Sequence, residues 1–370
     1  MPYAHPETLV STDWLAQRLG APDIRIVDAS FKLPGVTPTA HEDYVAGHIP
    51  GAVFFAIDEI ADTGSPLPHM LPSPEKFASR VRRLGLGDGN RIVLYGSSLP
   101  GAARVWWTFR AFGHRDVAIL DGGFGKWQAE GRPVDDLPPP PRDRHFTARF
   151  NSLLVRDKAQ VLANIEQPRA QLVDARAKGR FEGTAPEPRA GLRAGHIPGS
   201  LNLDHLDLVD AATGTVKPAE AIRAAFEGAG VDLAKPVITT CGSGVTASVL
   251  ALGLHLIGHR DVAVYDGSWS EWGLPGDHPV ETGPARPQAD PAWPVGPVVP
   301  RTAGRLYRRR GPAVRPAARM VAGLERDGRG LCQRTGHPPP CDRPDLERSR
   351  SLVIEPRWLL AIVGLLLIQG

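Results

Sequence analysis

PVITTCGSGVTASVLALGLHLIG, residues 236–258, is the stretch on which the predicted fold depends. The run over residues 237–240 is apolar and β-branched and predicts a buried strand, and the apolar residues after Thr246 predict a helix. Cys241 and a glycine-rich turn stand between them. A strand that passes through a turn into a helix is typical of a parallel sheet with crossover connections. The stretch therefore predicts an α/β fold with Cys241 at the end of a strand.

An internal repeat divides the chain into two related halves. GHRDVAILDGG begins at Gly113, and GHRDVAVYDGS begins at Gly258, 145 residues later. GHIPGA at Gly47 recurs as GHIPGS at Gly195, 148 residues later, and IVDAS recurs as LVDAR. Motifs that recur in the same order at nearly the same spacing indicate a duplicated domain.

Each half alternates short β-branched runs with longer helical patterns, which predicts two domains, each a parallel sheet flanked by helices. The predicted strands are residues 24–28, 91–95 and 117–120 in the first half and 172–175, 237–240 and 262–265 in the second. A helix is predicted over residues 74–84, with Ser73 as its N-cap.

The domain boundaries follow from changes in composition. We predict an N-terminal domain over residues 8–135, a proline-rich linker over 136–150 and a C-terminal domain over 151–283. Residues 284–370 are rich in proline, arginine and glycine and match neither half. We expect this tail to lack a stable core of its own.

The composition is that of an ordinary globular protein large enough for two domains, with 370 residues, 42% of them hydrophobic and 22% charged. The formal net charge of +3 is small and is carried partly by arginines at 308–310, so we expect no nucleic-acid binding. The apolar run at 358–368 is about half of the roughly 20 residues that a membrane-spanning helix needs. We expect no stable membrane association.

The number of cysteines favours a reducing compartment, because three of them are too few to stabilise a chain of this length by disulfide bonds: Cys241, Cys332 and Cys341. The first ten residues have neither the basic start nor the apolar run of a secretory signal. We therefore expect a cytoplasmic protein. Cys332, His337 and Cys341 lack a fourth ligand and are separated by prolines, so no metal site is predicted there.

Cys241 is the candidate nucleophile. Open α/β sheets bind ligands at the carboxyl ends of their strands, where loop and helix N–H groups point outward. We expect Gly242 and Gly244 to let the backbone curl round the sulfur, so that these N–H groups stabilise the thiolate. A small buried cysteine at a strand end is the alternative, and the glycine-rich setting argues against it.

The two halves and the loop CGSGVTA resemble the two-domain rhodaneses, the thiosulfate and 3-mercaptopyruvate sulfurtransferase family, over residues from about 8 to 280. This resemblance implies two tandem rhodanese-like domains, a persulfide on Cys241 and no metal or organic cofactor. The first copy of that family lacks the cysteine, and here Gly96 stands at the matching position. A phosphatase of related fold would have arginine where this chain has Ala247.

The donor expected from the resemblance is 3-mercaptopyruvate. Family members specialised for thiosulfate have basic residues directly after the cysteine, whereas this loop has Gly242 and Ser243. Arg180 and Arg189 match the arginines that bind the mercaptopyruvate oxygens. The loop residues expected to contact substrate are Gly242, Gly244, Val245 and Thr246. Thiosulfate sulfurtransferase activity and a non-catalytic binding module remain the alternatives.

FFAIDEIADTGSPLPHML, residues 54–71, resembles the family segment whose Asp and His face the catalytic loop from the first domain. The resemblance therefore implies that Asp58, His69 and Ser243 form a proton relay. Thioredoxin, a small thiol or cyanide is the expected sulfur acceptor. Arg104 and Arg193 are looser candidates for the site.

The histidines of the two GHIPG motifs, His48 and His196, are interpreted as parts of structural turns. We also expect five tryptophans to lie in the core or at an interface rather than to bind a ligand: Trp106, Trp107, Trp127, Trp269 and Trp272.

Overall fold

The structure, a computed structural model, describes residues 2–140 and 143–286. Within these ranges the chain forms two five-stranded sheets, one in each half of the repeat. All strands run parallel to their neighbours in both sheets. The predicted α/β class with two parallel sheets is therefore confirmed.

The first sheet lies in the N-terminal half. Its strands and the α-helices between them are, in chain order, β1 (Leu9–Val10), α1 (Thr12–Ala16), β2 (Ile24–Asp28), α2 (Ala40–Ala46), β3 (Val53–Phe54), α3 (Ile57–Ile60), α4 (Pro74–Arg83), β4 (Arg91–Tyr95), α5 (Leu99–Ala111), β5 (Val117–Leu120) and α6 (Gly123–Ala129). The strands pair in the order β1-β5-β4-β2-β3. Parallel neighbours require crossover connections, which the helices provide.

The second sheet repeats this arrangement. Its elements are β6 (Val155–Arg156), α7 (Lys158–Glu166), β7 (Gln171–Asp174), α8 (Lys178–Glu182), β8 (Leu201–Asn202), α9 (Ala219–Gly228), β9 (Val237–Thr240), α10 (Ala247–Leu256), β10 (Val262–Tyr265) and α11 (Ser268–Trp272). The strand order is β6-β10-β9-β7-β8, which matches that of the first sheet position by position. The duplication inferred from the motifs thus extends to the topology.

Two predicted elements, β7 and α4, differ by one residue from the observed ones. Strand β7 was expected over 172–175 but spans Gln171–Asp174, and the Ala175 N–H continues the ladder by donating to the Thr240 carbonyl at 2.8 Å. Helix α4 ends at Arg83, with Leu84 as its C-cap. Its predicted N-cap is confirmed, because the Ser73 hydroxyl accepts a hydrogen bond from Lys76 N.

Helices α5 and α10 pack against each other between the two sheets. The apolar residues around them form one core cluster to which both halves contribute, and a smaller separate cluster covers the outer face of each sheet. The five tryptophans named above are all 2% exposed or less, which confirms their place in the core. His48 and His196 are fully buried and bridge to Asp135 and Glu281 through their backbones, as expected for structural turns.

Two hydrogen bonds that are related by the repeat connect the halves. Asp121, after β5, accepts from Val216 N at 2.8 Å, and Asp266, after β10, accepts from Leu71 N at 2.8 Å. Each aspartate belongs to one copy of the DG motif, and each N–H belongs to the opposite half. The duplicated sequence thus forms two equivalent connections, and the second of them lies beside Cys241.

Some predictions fall on parts of the chain that are not described. The proposed tail 284–370 lies outside the described residues from position 287 onward, and so do Cys332, His337 and Cys341. The domain boundaries at 135, 150 and 283 stay predictions. Among residues 2–140 and 143–286, no helix is long and apolar enough to cross a membrane. The same ranges contain no cluster of three or more side chains suited to a metal ion.

His255 on α10 lies where the N-terminal segment meets the core between the halves. Its ring stacks on His5 at 4.2 Å between ring centroids and lies 5.2 Å from the ring of Trp106. Burial, together with the positive charges of Arg110 and His5, lowers the pKa of His255 to about 3.

This buried histidine should make stability dependent on pH. Its pKa is about 6.5 when unfolded and about 3 when folded, so the unfolded chain binds the extra proton in between. The free energy of unfolding should therefore fall as pH decreases from about 6.5 toward 3. Urea unfolding midpoints at several pH values would show a smaller slope in His255→Leu than in wild type. The exposed His145→Leu serves as control, and equal slopes in His255→Leu and wild type would contradict the prediction.

Candidate active site

Cys241 directly follows β9, at the carboxyl end of the second sheet, and α11 holds it there. The N–H groups of Trp269 and Ser270 donate to the carbonyls of Cys241 and Gly242 at 2.9 and 2.7 Å. The Ser268 hydroxyl accepts from Cys241 N at 3.2 Å. The cysteine is only 2% exposed and belongs to the apolar core cluster shared by the two halves. The backbone on both sides of the sulfur is therefore fixed.

The loop after Cys241 presents free backbone N–H groups. In the described part of the chain, no backbone carbonyl accepts from the N–H groups of residues 242–246. Gly244 has φ +77°, the left-handed conformation that favours glycine. Gly242 does not share this conformation, and its predicted role in curling the backbone stays a prediction. A β-carbon there would lie 3.1 Å from Arg180 Nη2, so Gly242 leaves room for that guanidinium.

Arg180 reaches this loop from α8 and is held by a buried carboxylate. Its Nη2 lies 2.7 Å from Glu187 Oε2, and the other oxygen of Glu187 lies 2.8 Å from Arg176 Nη1. Arg176 is fully buried and pairs with Asp174 at 2.7 Å. Arg180 is 27% exposed whereas Glu187 is 5% exposed, so a buried carboxylate holds an arginine that still reaches solvent.

Arg189 connects the two halves at the site. Its Nη2 donates to His69 Nε2 at 3.1 Å, and His69 Nδ1 bonds the carboxylate of Asp58. Arginine has no acceptor, so His69 Nε2 must carry the lone pair and Nδ1 the proton. The bond from His69 is the main cause that holds the pKa of Asp58 below its usual value. The geometry therefore indicates a neutral His69 with a defined tautomer.

Cys241 and Arg180 both act on the charge of Arg189. Burial lowers the pKa of Arg189, the negative charge of Cys241 opposes that shift, and neighbouring Arg180 adds to it. These interactions place two guanidinium groups and the thiol in one electrostatic environment. A small anionic substrate that reaches Cys241 would meet both arginines.

The structure brings some of the predicted site residues into contact with one another and leaves the roles of others untested. Asp58, His69 and Arg189 are hydrogen-bonded in a chain, and Arg180 lies against Gly242. Ser243 is 7% exposed on the loop, but both ring nitrogens of His69 are engaged by Asp58 and Arg189. A relay through Ser243 would therefore need a rearrangement, and its role stays a prediction. The substrate-binding roles of the loop residues Val245 and Thr246 also stay predictions.

Sequence reasoning missed three residues that build the site, Glu187, Ser268 and Asp266, and did not commit to a fourth, Arg104. Asp266 lies in the repeated DG motif, which was a visible signal, and Arg104 was only a looser candidate. The second looser candidate, Arg193, donates to the carbonyls of Trp272 and His278 at 2.9 and 3.0 Å. These contacts give Arg193 a structural role.

Gly244 offers a test of this packing. A β-carbon at that position would lie 2.7 Å from Arg104 Nη1 and 3.0 Å from the Asp266 carbonyl oxygen. Gly244→Ala should therefore displace the loop and lower turnover by about tenfold or more. Gly131→Ala is the matched control, because Gly131 has φ +64° with no atom within 4 Å of the added carbon. It should cost only about 1 kcal/mol of stability. Equal effects of the two changes on turnover would rule out the steric argument.

Comparison with known proteins identifies close relatives. The family described as Rhodanese-like domain matches residues 11–130 and 157–274. The chain is 44% identical to 3-mercaptopyruvate sulfurtransferase of Homo sapiens over 271 residues and 47% identical to thiosulfate sulfurtransferase of Bos taurus over 272 residues. Each alignment covers 71% of this chain and 91% of the relative.

Solved structures agree with these matches. SseA from Escherichia coli, described as a 3-mercaptopyruvate sulfotransferase with the rhodanese fold, has a TM-score of 0.66 and 40% identity. The match covers 71% of this chain and 98% of SseA. Tum1 from Saccharomyces cerevisiae has a TM-score of 0.67 and 32% identity, over 71% of this chain and 94% of Tum1.

Proposed function

Because this chain belongs to the tandem rhodanese-like sulfurtransferases, we propose that it moves sulfur from 3-mercaptopyruvate to a thiol through a persulfide on Cys241. The observation that carries this proposal is the contact of Arg189 with His69 across the two halves, beside the cysteine. This contact joins Arg189, whose guanidinium can bind a substrate carboxylate, to His69, a neutral histidine that can transfer a proton.

In the first half-reaction the Cys241 thiolate attacks the sulfur of 3-mercaptopyruvate. A sulfur–sulfur bond forms, the carbon–sulfur bond breaks, and its electron pair remains on carbon as the enolate of pyruvate. Arg180 and Arg189 bind the carboxylate and the developing enolate oxygen. When Arg189 turns from His69 Nε2 to the substrate carboxylate, that nitrogen becomes free. The proton that leaves the donor sulfur then passes through Ser243 and the Asp58–His69 pair to the enolate carbon, and pyruvate departs.

In the second half-reaction an acceptor thiolate attacks the outer sulfur of the persulfide. A new persulfide forms on the acceptor, and Cys241 leaves as its thiolate. The N–H groups of residues 242–246, which donate to no backbone carbonyl in the described ranges, hold the outer sulfur until then. Thioredoxin and small thiols are the acceptors proposed, and cyanide would yield thiocyanate by the same displacement.

The donor choice rests on the charge of the loop. No lysine or arginine occurs in residues 242–246, so a dianion gains little attraction there beyond that of Arg180 and Arg189. Thiosulfate is the second candidate donor, because the bovine relative named thiosulfate sulfurtransferase is 47% identical. Its reaction would release sulfite and need no proton transfer to carbon.

Cytoplasmic location also belongs to the proposal. It rests on the low number of cysteines, which favours a reducing compartment. One relative, the Arabidopsis thaliana protein named thiosulfate/3-mercaptopyruvate sulfurtransferase 1, mitochondrial, is 41% identical over 298 residues, 75% of this chain and 78% of the relative. Fluorescence microscopy of the tagged full-length chain would distinguish the two locations.

Mass spectrometry of the intact protein tests the chemistry. Wild type exposed to 3-mercaptopyruvate should gain one sulfur atom, and peptide mapping should place it on the fragment that contains Cys241. Parallel exposure to thiosulfate, with initial rates for both donors, ranks the two candidates. A protein that releases no pyruvate and gains no sulfur from either donor would contradict the proposed function.

A further inference from the structure

Arg104 on α5 is a buried charge for which the steps above have no role. It is 2% exposed, and its Nη2 lies 2.7 Å from Oδ1 of Asp266 in the opposite half. The same nitrogen donates to the carbonyl of His69, and Nη1 lies 3.4 Å from the carbonyl of Gly244. One guanidinium thus contacts the histidine segment, the cysteine loop and the aspartate that connects them.

The backbone that Arg104 contacts is strained. His69 has φ +61°, in the left-handed region that residues other than glycine rarely adopt. The equivalent residue of the second half is Gly214, with φ +69°. A histidine therefore occupies a position where the other copy uses glycine, and its backbone is strained there. The hydrogen bond from Arg104 to the His69 carbonyl helps to hold this peptide in place.

The repeat provides an internal comparison. The position equivalent to Arg104 in the second half is Val249, a buried apolar residue on α10. Asp121, the equivalent of Asp266, still accepts from Val216 N at 2.8 Å, although it faces no arginine from that position. The connection between the halves therefore forms without an arginine. The arginine occurs at the connection that borders Cys241.

We propose that Arg104 is a positioning residue for sulfur transfer: paired with Asp266, it holds His69 in the orientation that contacts Asp58 and Arg189. It acts through His69 and does not contact the reacting atoms. This inference rests on the proposed function, because it assigns Arg104 to the proton-transfer part of the first half-reaction. The second half-reaction, discharge of the persulfide, needs no proton on carbon and should depend on Arg104 much less.

The two half-reactions separate a positioning role from a purely structural one. Single-turnover experiments on the full chain would measure persulfide formation from 3-mercaptopyruvate and, on loaded enzyme, discharge by cyanide. Arg104→Met should slow formation by about tenfold to a hundredfold and change discharge by less than about threefold. Arg104→Lys keeps the charge near Asp266 but cannot contact all three partners, and it should recover part of the rate.

Asp266→Asn and Asp121→Asn form the matched pair. Both keep a side-chain acceptor for the N–H of the opposite half, but only Asp266 orients Arg104. Asp266→Asn should slow formation selectively, whereas Asp121→Asn should leave both half-reactions unchanged. If Arg104→Met does not fold, this pair decides the question in the same way.

Unchanged persulfide formation in folded Arg104→Met, or equal losses in the two half-reactions, would overturn the inference. The same holds if Asp121→Asn slows formation as much as Asp266→Asn does. Failure of the proposed function is distinct from these results, because wild type would then form no persulfide from 3-mercaptopyruvate.

Discussion

Cys241→Ser will lose turnover with 3-mercaptopyruvate by roughly four orders of magnitude or more, and the variant will gain no sulfur from the donor. A hydroxyl is a far weaker nucleophile toward sulfur than a thiolate, and an oxygen at this position cannot form a persulfide. Since the 2% exposed side chain sits in a preformed setting, serine should fit without disturbing the fold. Pyruvate release and intact-mass measurement report the two effects separately.

The other cysteines provide the control for this experiment. Cys332 and Cys341 lie outside the matched family region, which ends at residue 274. The double variant Cys332→Ser, Cys341→Ser should therefore keep the wild-type rate. If Cys241→Ser kept more than about a hundredth of the wild-type rate, or still took up sulfur, Cys241 would not be the nucleophile. A loss of sulfur uptake in the double variant would point to the same conclusion.

Arg189→Gln should lower kcat/KM for 3-mercaptopyruvate by about tenfold to a hundredfold, because charge-assisted hydrogen bonds contribute about 1.5–3 kcal/mol each. Part of the effect should appear in kcat. Arg189 also donates to His69 Nε2 at 3.1 Å, and its removal frees the imidazole to change tautomer. Initial rates over a range of donor concentrations separate the loss of binding from the loss of turnover.

Two further variants show whether the loss of kcat/KM in Arg189→Gln is specific to position 189 and whether it requires the guanidinium group. Arg189→Lys keeps the charge but loses the planar fork, so it should recover only part of kcat/KM. Arg169→Gln removes an exposed arginine from the same half of the chain and should leave the kinetics unchanged. A kcat/KM for Arg189→Gln within about threefold of wild type would exclude a substrate-binding role for this residue.

Most strands could be predicted because their signal is local. Five of the six predicted strands have the observed bounds, since short β-branched runs flanked by turn residues form buried parallel strands in almost any α/β context. The two-residue strands β1, β3, β6 and β8 were not predicted. They are too short to show a periodic pattern, and each is defined by its pairing with a longer strand.

The candidate site was predictable where its residues stand in compact motifs. Cys241 and the glycine-rich loop lie in one stretch, and the resemblance to a family named Arg180, Arg189, Asp58 and His69. Glu187 was missed because its function depends on two arginines that it contacts only in the folded chain. Ser268 was missed for a similar reason, because its hydroxyl bonds the backbone of a residue 27 positions earlier.

The amino-acid sequence by itself established those features that depend on neighbouring residues and on repeated motifs. The duplicated motifs, the alternation of strand and helix, and a cysteine followed by glycines all follow from spacing along the chain. Packing of the two halves established the rest: the tautomer of His69, the left-handed peptide beside it and the pair of Arg104 with Asp266. The contacts of His69 with Arg189 and of Arg104 with Asp266 join residues more than 100 positions apart, and they form only where burial excludes water as a competing partner.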